Sequence, residues 1–564
     1  MDDNCKLLRY LFIGNNSPYV ACKRREISFE KGEAILAELI ESSRTNPIEF
    51  IKLFDLIKRA IKDKSLCRND ESIFTIAFFL RKIENAKIRN EIYKNFKDFL
   101  PQCKDLFMFL DFYTRLSEKK KICCGKGLRA ALTKWYDKFS AIELAEMFSK
   151  SHGMYNWKHQ DILRLIHIKL EKDEKQSIVN AMYKSCTKHL AEQDEIDRRN
   201  PLETYNNEGL TRYNNICRFK RLTDEKKIAD LIKLHKYSYD LVPNAFYRSA
   251  VVWEPLLILM NYKELLDVIF ILMDNMLLRE GGNNHFPKKY AHAIGDMRRV
   301  EQSKLHPLYI FNKYLLFKRN ERYFQKIKEG YHTAKPRSPK NIPQFEQIAT
   351  KLFTGFEHSF NNYPGTGTRY FITLDLKSSY TKKQVFSNRL LTCFNASLIL
   401  ALSLLKAERK KADNKKPENK RFENVSIYTF SDDKENLKKL ELNADMSFTD
   451  ASTYCTELLL PKTCANLNLP IQTAIKDKTK VDVFITIVDS VIRTNPNLKP
   501  PTDSMGDYRK AMNLKMSKYI VINLTRHQQD FVYDRENVKG IMEMSGCGPD
   551  IPKLIEAFAK QVFT

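Results

Sequence analysis

The last third of this chain carries four short, uninterrupted apolar runs, Tyr370–Leu374, Ser426–Phe430, Val481–Val488 and Lys518–Leu524. Runs of this kind predict strands buried on both faces rather than strands with one wet side. Between and after them lie segments of helical period: Ser387–Lys406, Leu469–Ile475 with Pro470 near its start, Ser504–Leu514, and Ile551 to about Phe563. Strands alternating with helices specify an α/β domain with a doubly wound parallel sheet, whose ligands sit beyond the carboxyl ends of the strands. No glycine-rich loop follows any of these strands. Gly365-Thr-Gly367 precedes its strand, which argues against a nucleotide cradle.

The first 330 or so residues follow a different rhythm. Ala34–Ile40, Ile51–Ile57, Ser72–Leu80 and Leu256–Met260 place apolar residues at three-to-four spacing, or all round as in buried helices. Ser140-Ala-Ile-Glu143 has the form of a capping box. Helix after helix with short breaks predicts an α-solenoid, although no internal repeat period is legible. The basic, proline-rich stretch Lys335–Pro343 predicts a linker at about 335–355, dividing an all-α domain, 1–355, from the α/β domain, 356–564.

Charge narrows the partners. The chain is 564 residues long with a net charge of +26; residues 1–355 hold +19 of it and residues 356–564 hold +7, of which the segment 406–421 supplies +5. A surplus of this size attracts polyanions, nucleic acid first. The charge distribution places the binding surface on the helical part, with 406–421 as a flexible basic insert. No apolar run reaches membrane-spanning length, and the first residues do not form a secretory signal. Twelve scattered cysteines without paired spacing predict reduced thiols. A soluble cytoplasmic protein, also nuclear in some settings, is expected.

Several blocks then resemble one family. Gly127–Tyr136, Asn156–His167, Val252–Leu257, Leu305–Pro307, Phe430–Asp432, Val481–Asp489 and Gly546–Gly548 occur in the order seen in the 60 kDa SS-A/Ro ribonucleoproteins of the TROVE (telomerase, Ro and vault) family. The resemblance implies a ring of HEAT-like helical repeats followed by a von Willebrand factor A-like domain. It also implies a protein that binds small noncoding Y RNAs and the single-stranded 3′ ends of misfolded RNAs. By the same resemblance Lys150 and His167 match positions at the Y RNA surface, and Arg129 lies in a neighbouring matching block. Met154 departs from the pattern, standing where the family has an arginine.

The residues themselves agree with such a role. On a helix over 158–170, Gln160, Arg164, His167 and Glu171 share one face while Ile162, Leu165, Ile166 and Leu170 share the other. Arginine suits bidentate phosphate contacts, and histidine donates to phosphate or stacks on a base. Trp135, Tyr136 and Trp157 read as core, with base stacking as the alternative. His152, His159 and His167, spaced by seven and eight, do not form a zinc motif.

The loop Asp375-Leu-Lys377-Ser-Ser379 adds a second expectation. A-domains hold Mg²⁺ or Mn²⁺ through a DxSxS loop after the first strand, a threonine from a second loop, and an aspartate ending a later strand. The resemblance places Asp375, Ser379 and Asp489 at ligand positions. It places Lys377 at the first serine and Ala465 at the threonine, the latter by aligning Asn468-Leu-Pro470 with the family's Ser-Leu-Pro. Lysine has three donors and no acceptor, and alanine has neither. Two arrangements are open: the Lys377 ammonium lies between Asp375 and Asp489 in place of the ion, or it points outward and a weak Mg²⁺ or Mn²⁺ site survives. No other cofactor is expected.

The sequence thus predicts a monomeric, non-catalytic RNA-binding protein with Arg129, Lys150, Arg164 and His167 on its RNA face. Its role would be that of a small-RNA ribonucleoprotein that surveys defective noncoding RNA. A helical-repeat scaffold for acidic proteins is the alternative. No clustered carboxylates or His/Lys pair at the helical face suggests an enzyme.

Overall fold

The computed structural model describes residues 3–15, 19–21, 27–118, 124–150, 153–185, 207–278, 285–328, 343–415, 424–433, 435–489, 501–525 and 540–563. They fall into two compact units: Met1–Gly14 with Ile27–Leu259, and Asn15–Glu26 with Met260–Thr564.

The first unit is helical, and local sequence explains its helices. In Pro47–Lys62 the apolar residues Phe50, Leu53, Phe54, Ile57 and Ile61 recur at three-to-four spacing and are buried. Asn46 caps the start, its side chain accepting from Glu49 N at 3.2 Å, and Pro47 takes the first turn where its missing N–H costs nothing. Packing alternates along the chain. Helices Phe29–Thr45, Asp70–Lys82 and Cys103–Arg115 pack as one row, and Pro47–Lys62, Ala86–Phe99 and Lys126–Asp137 as a second. Two rows of next-but-one neighbours are the layers of a helical solenoid. Asp70–Lys82 is buried from Glu71 through Leu80, which is why its sequence is apolar all round. The expected capping box forms: Ser140 N donates to Glu143 at 2.8 Å and Glu143 N to Ser140 at 3.2 Å, opening helix Ala141–Lys150.

The second unit is built on a seven-stranded sheet. Its strands are β1 (Tyr19–Ala21), β2 (Tyr370–Leu374), β5 (Val425–Phe430), β6 (Leu437–Lys439), β7 (Val483–Val488), β8 (Lys518–Asn523) and β9 (Ile541–Ser545). A separate hairpin pairs β3 (Gln384–Val385) with β4 (Asn388–Thr392). The sheet order is β1-β9-β8-β7-β2-β5-β6, parallel throughout except for β6 at the edge. Strands β2, β7, β8 and β9 are buried along their whole length, as strands covered on both faces must be. On one face Phe371 stacks on Tyr428 with centroids 4.4 Å apart, and Phe484, Tyr508 and Tyr519 continue that core.

Three expectations about organisation change. The boundary near 355 falls inside the second unit, because the helices after Met260 share a core with the sheet domain. Phe311, Phe353 and Phe356 all pack on Phe448, Asn388 donates to Asn312 at 2.8 Å, and Tyr363 donates to the Pro552 carbonyl at 3.0 Å. The linker over 335–355 is helix in its second half: Pro343 opens the helix Pro343–Ser359, and 335–342 lie outside the described residues. The basic insert 406–421 is likewise no free loop in its first half. Residues through Lys415 continue the helix Cys393–Lys415, Lys406 donates to the Met446 carbonyl at 2.6 Å, and 416–421 lie outside the described residues. The glycines ahead of β2 serve this same helix. Buried Glu408 accepts from Thr366 N at 2.5 Å and from Gly367 N at 2.7 Å, so an internal carboxylate fills the position a phosphate would need.

Candidate functional site

The cationic residues singled out by sequence lie in the first unit, on three successive helices. Arg129 is exposed on Lys126–Asp137, Lys150 ends Ala141–Lys150, and Arg164 is exposed on His159–Ile166. That last helix is shorter than predicted. His167 adopts left-handed backbone (φ 50°) and the Ile168 N–H reaches back to the Leu163 carbonyl at 3.3 Å, a Schellman-type stop. His167 therefore stands exposed at the helix end, one turn from Arg164, whereas Glu171 is not on the helix. Ile162, Leu163 and Ile166 form the buried side.

The four residues are not equivalent. Lys150 is half-buried and lies 3.4 Å from Glu146, which Arg212 also contacts at 2.7 Å. Arg164 stands over the Tyr183 ring at 6.0 Å. Exposed Lys158 and Lys169 flank Arg164 and His167 in sequence. Between the Lys150 and Arg164 helices, Met154 and Trp157 exchange backbone hydrogen bonds, both 2.9 Å, across Tyr155 and Asn156 at positive φ. This is a two-residue hairpin, and a Cβ on Gly153 would sit 2.5 Å from the Trp157 carbonyl. Met154, the departure from the family pattern, is 41% exposed on this hairpin. Trp135 and Tyr136 are core. The Tyr136 hydroxyl lies 2.9 Å from His159 Nδ1, and burial pushes the His159 pKa down to about 3, which makes it a neutral packing residue. His152 lies outside the described residues.

In the second unit, Asp375 and Asp489 follow β2 and β7, neighbouring parallel strands in which Leu374 pairs with Ile487. Register thus brings both carboxylates to the carboxyl edge at the middle of the sheet, where they are 0% and 2% exposed. Lys377, 17% exposed, lies between them, its Nζ 2.9 Å from Asp375 Oδ2 and 2.5 Å from Asp489 Oδ1. Lys383 adds a second ammonium 2.7 Å from Asp489 Oδ2. Burial opposes the charged form of Lys377, but Asp375 and Asp489 outweigh it and raise its pKa. Burial likewise opposes ionisation of Asp489, and hydrogen bonds from Lys377 and Lys383 outweigh that, holding it below the usual carboxylate range.

One assignment at this loop is corrected. Ala465 is not at the threonine position: it lies in the apolar core, and Thr463 instead donates its hydroxyl to Asp375 Oδ1. Thr463 stands two residues before the position that the Ser-Leu-Pro match assigns, so the match sets the register two residues too late. Ser379 is exposed, and its carbonyl accepts from the Lys382 and Lys383 N–H groups at 3.2 and 2.9 Å. A divalent ion needs several oxygen ligands in near-octahedral array. This donor set does not fit one, because ammonium groups already contact both carboxylates.

Stacked helices joined to a doubly wound sheet, with lysines at the sheet's metal-loop edge, define a helical-repeat protein carrying a von Willebrand factor A-type domain. Residues 369–559 match the model of the Ro60 vWA domain. The chain is 22% identical to the RNA-binding protein RO60 of Caenorhabditis elegans, over 99% of this chain and 88% of that one. It superposes on the crystal structure of the Deinococcus radiodurans Ro (RSR) protein with a TM-score of 0.74 at 16% identity, covering 100% of both chains. Residues 369–559 are thus similar to the Ro60 vWA domain, and the chain as a whole shares the fold of the Ro (RSR) protein.

Proposed function

We propose that the protein binds RNA through its helical unit and is a binding protein rather than an enzyme. The observation that carries this reading is the placement of exposed Arg129, Arg164 and His167, with Lys158 and Lys169, on a chain whose surplus positive charge is concentrated in residues 1–355. Relatedness to a protein named RNA-binding along 99% of the chain supports it. Guanidinium and imidazole groups on helix ends reach phosphates and unpaired bases, which suits structured RNA read by shape better than duplex read by base edges. The finer reading is a small, Y-type noncoding RNA as resident partner and single-stranded 3′ ends of misfolded RNA as clients, for quality control. The exposed Met154 in place of an arginine predicts that the preferred small RNA differs from those of other family members.

Filter binding of a stem-loop RNA and of a single-stranded 3′-tailed RNA at several salt concentrations tests this. For the tail, log K should fall with log salt at a slope of about −0.7 per neutralised phosphate. A slope near zero overturns RNA binding. A normal slope for random RNA with no preference for structured or tailed species removes only the finer reading. Absence of co-purifying RNA, together with retention of acidic proteins, would point instead to a protein scaffold.

A further inference from the structure

We propose that Lys377 and Lys383 together replace the divalent ion of the A-type domain, so that this domain is held by a built-in, metal-free charge cluster. Asp375 and Asp489 are buried side by side at the ends of β2 and β7, and two carboxylates so placed repel unless a cation lies between them. A dication would supply two charges, and the two ammonium groups supply the same number from the chain itself.

All four carboxylate oxygens then have donors. Asp375 Oδ1 accepts from the Thr463 hydroxyl; Asp375 Oδ2 accepts from Lys377 at 2.9 Å and from the Tyr380 hydroxyl at 3.2 Å. Asp489 Oδ1 accepts from Lys377 at 2.5 Å and Asp489 Oδ2 from Lys383 at 2.7 Å. An entering ion would have to displace Lys377 from both carboxylates at once. The loop backbone also fixes the lysine: Ser378 N donates to the Leu460 carbonyl at 2.8 Å and Leu460 N to the Leu376 carbonyl at 3.3 Å, tying both neighbours of Lys377 to one strand-like segment.

Two consequences follow. The domain's stability is independent of divalent ions, and a partner cannot dock by placing a carboxylate on an open metal position. The lysine also acts as a plug on an otherwise usable site. With Lys377→Ser, the Asp375, Ser379, Thr463 and Asp489 oxygens are joined by a further hydroxyl, and Lys383, 43% exposed, is free to swing into solvent.

The test uses the full chain stripped with a chelator. Mn²⁺ binding is followed by electron paramagnetic resonance, and the melting temperature is measured with chelator or with millimolar Mg²⁺ or Mn²⁺ at fixed ionic strength. The wild type should bind no stoichiometric Mn²⁺, and its melting temperature should not move. Lys377→Ser should melt lower in chelator and recover by roughly 3 °C or more with Mn²⁺, with one ion bound per chain and none in Lys377→Ser/Asp489→Asn. One Mn²⁺ held per wild-type chain and lost in Asp489→Asn overturns the proposal. So does a Lys377→Ser protein that folds as well as wild type in chelator and ignores metal. If Lys377→Ser does not fold with or without metal, the wild-type measurement alone decides.

Discussion

The two units use the same side chains in opposite ways. In the helical unit Arg129, Arg164 and His167 stand exposed on helix surfaces, open to an external polyanion. In the sheet unit Lys377 and Lys383 are turned onto Asp375 and Asp489, and Arg369 binds Asp482 through contacts of 2.6 and 2.9 Å ahead of the same sheet. Net charge alone does not locate a binding face. Where the backbone presents carboxylates at strand ends, lysine becomes internal cement; where it presents an exposed helix end, the charge remains available.

The sharpest way to break this comparison is to remove one internal cation and one external cation. Lys377→Ala leaves two buried carboxylates facing each other and should cost about 3–5 kcal/mol of stability, read from urea midpoints. Arg164→Ala should cost under about 0.5 kcal/mol, as exposed substitutions do. Comparable losses would mean that the two units do not differ as described. Affinity should reverse the ranking: Arg164→Ala with His167→Ala should weaken RNA binding by about tenfold or more, roughly 1.4–2 kcal/mol, and reduce the salt slope. Lys383→Ala should leave RNA binding unchanged in the same assay.

Acid sharpens the comparison from the other side, because each unit holds a neutral histidine. His159 is packed against Phe107 and Phe148, and His306 accepts from Leu308 N at 3.1 Å beside Tyr363; burial pushes both pKa values down to about 3. The unfolded chain takes up a proton at each near the ordinary value of about 6.5, whereas the folded chain does not. Stability is therefore intact above that value and falls as pH drops toward 3. Between pH ~7.5 and ~5.5 each histidine should cost about 1.4 kcal/mol. Denaturant titrations at the two pH values should show the His159 share vanish in His159→Gln. The smallest expected effect is Tyr136→Phe, which removes the hydroxyl facing His159 and should cost about 1 kcal/mol at neutral pH.

The sequence was most readable where one constraint dominated. β2, β7 and β8 are apolar because both faces are covered, β5 is buried at four of its six positions, and the predicted spans of these strands lie within two residues of the observed ones. The Lys377 position, with its choice between inward and outward, was visible as an acceptor missing from a ligand loop. Opposing local signals hid the rest. β9 contains Glu543, a charged residue that is nonetheless buried, so Ile541–Ser545 did not read as a strand. Arg389-Leu-Leu fits a helical period as well as a strand, so the predicted helix from Ser387 absorbed β4, and the helix begins only at Cys393. Lys383 was missed because nothing in its neighbourhood shows that the turn after Ser379 returns its ammonium to Asp489.

Strand β1 gives the sheet unit an unusual dependence. Tyr19, Val20 and Ala21 pair in parallel with Glu543, Met544 and Ser545, so residues near opposite ends of this sequence are neighbours at one sheet edge. An uncovered edge offers unpaired N–H and C=O groups to any passing strand. Until this segment docks, β9 remains a template for misassembly. Three residues far upstream thus occupy the edge of β9 that would otherwise be open to another strand, and Val20 is buried there.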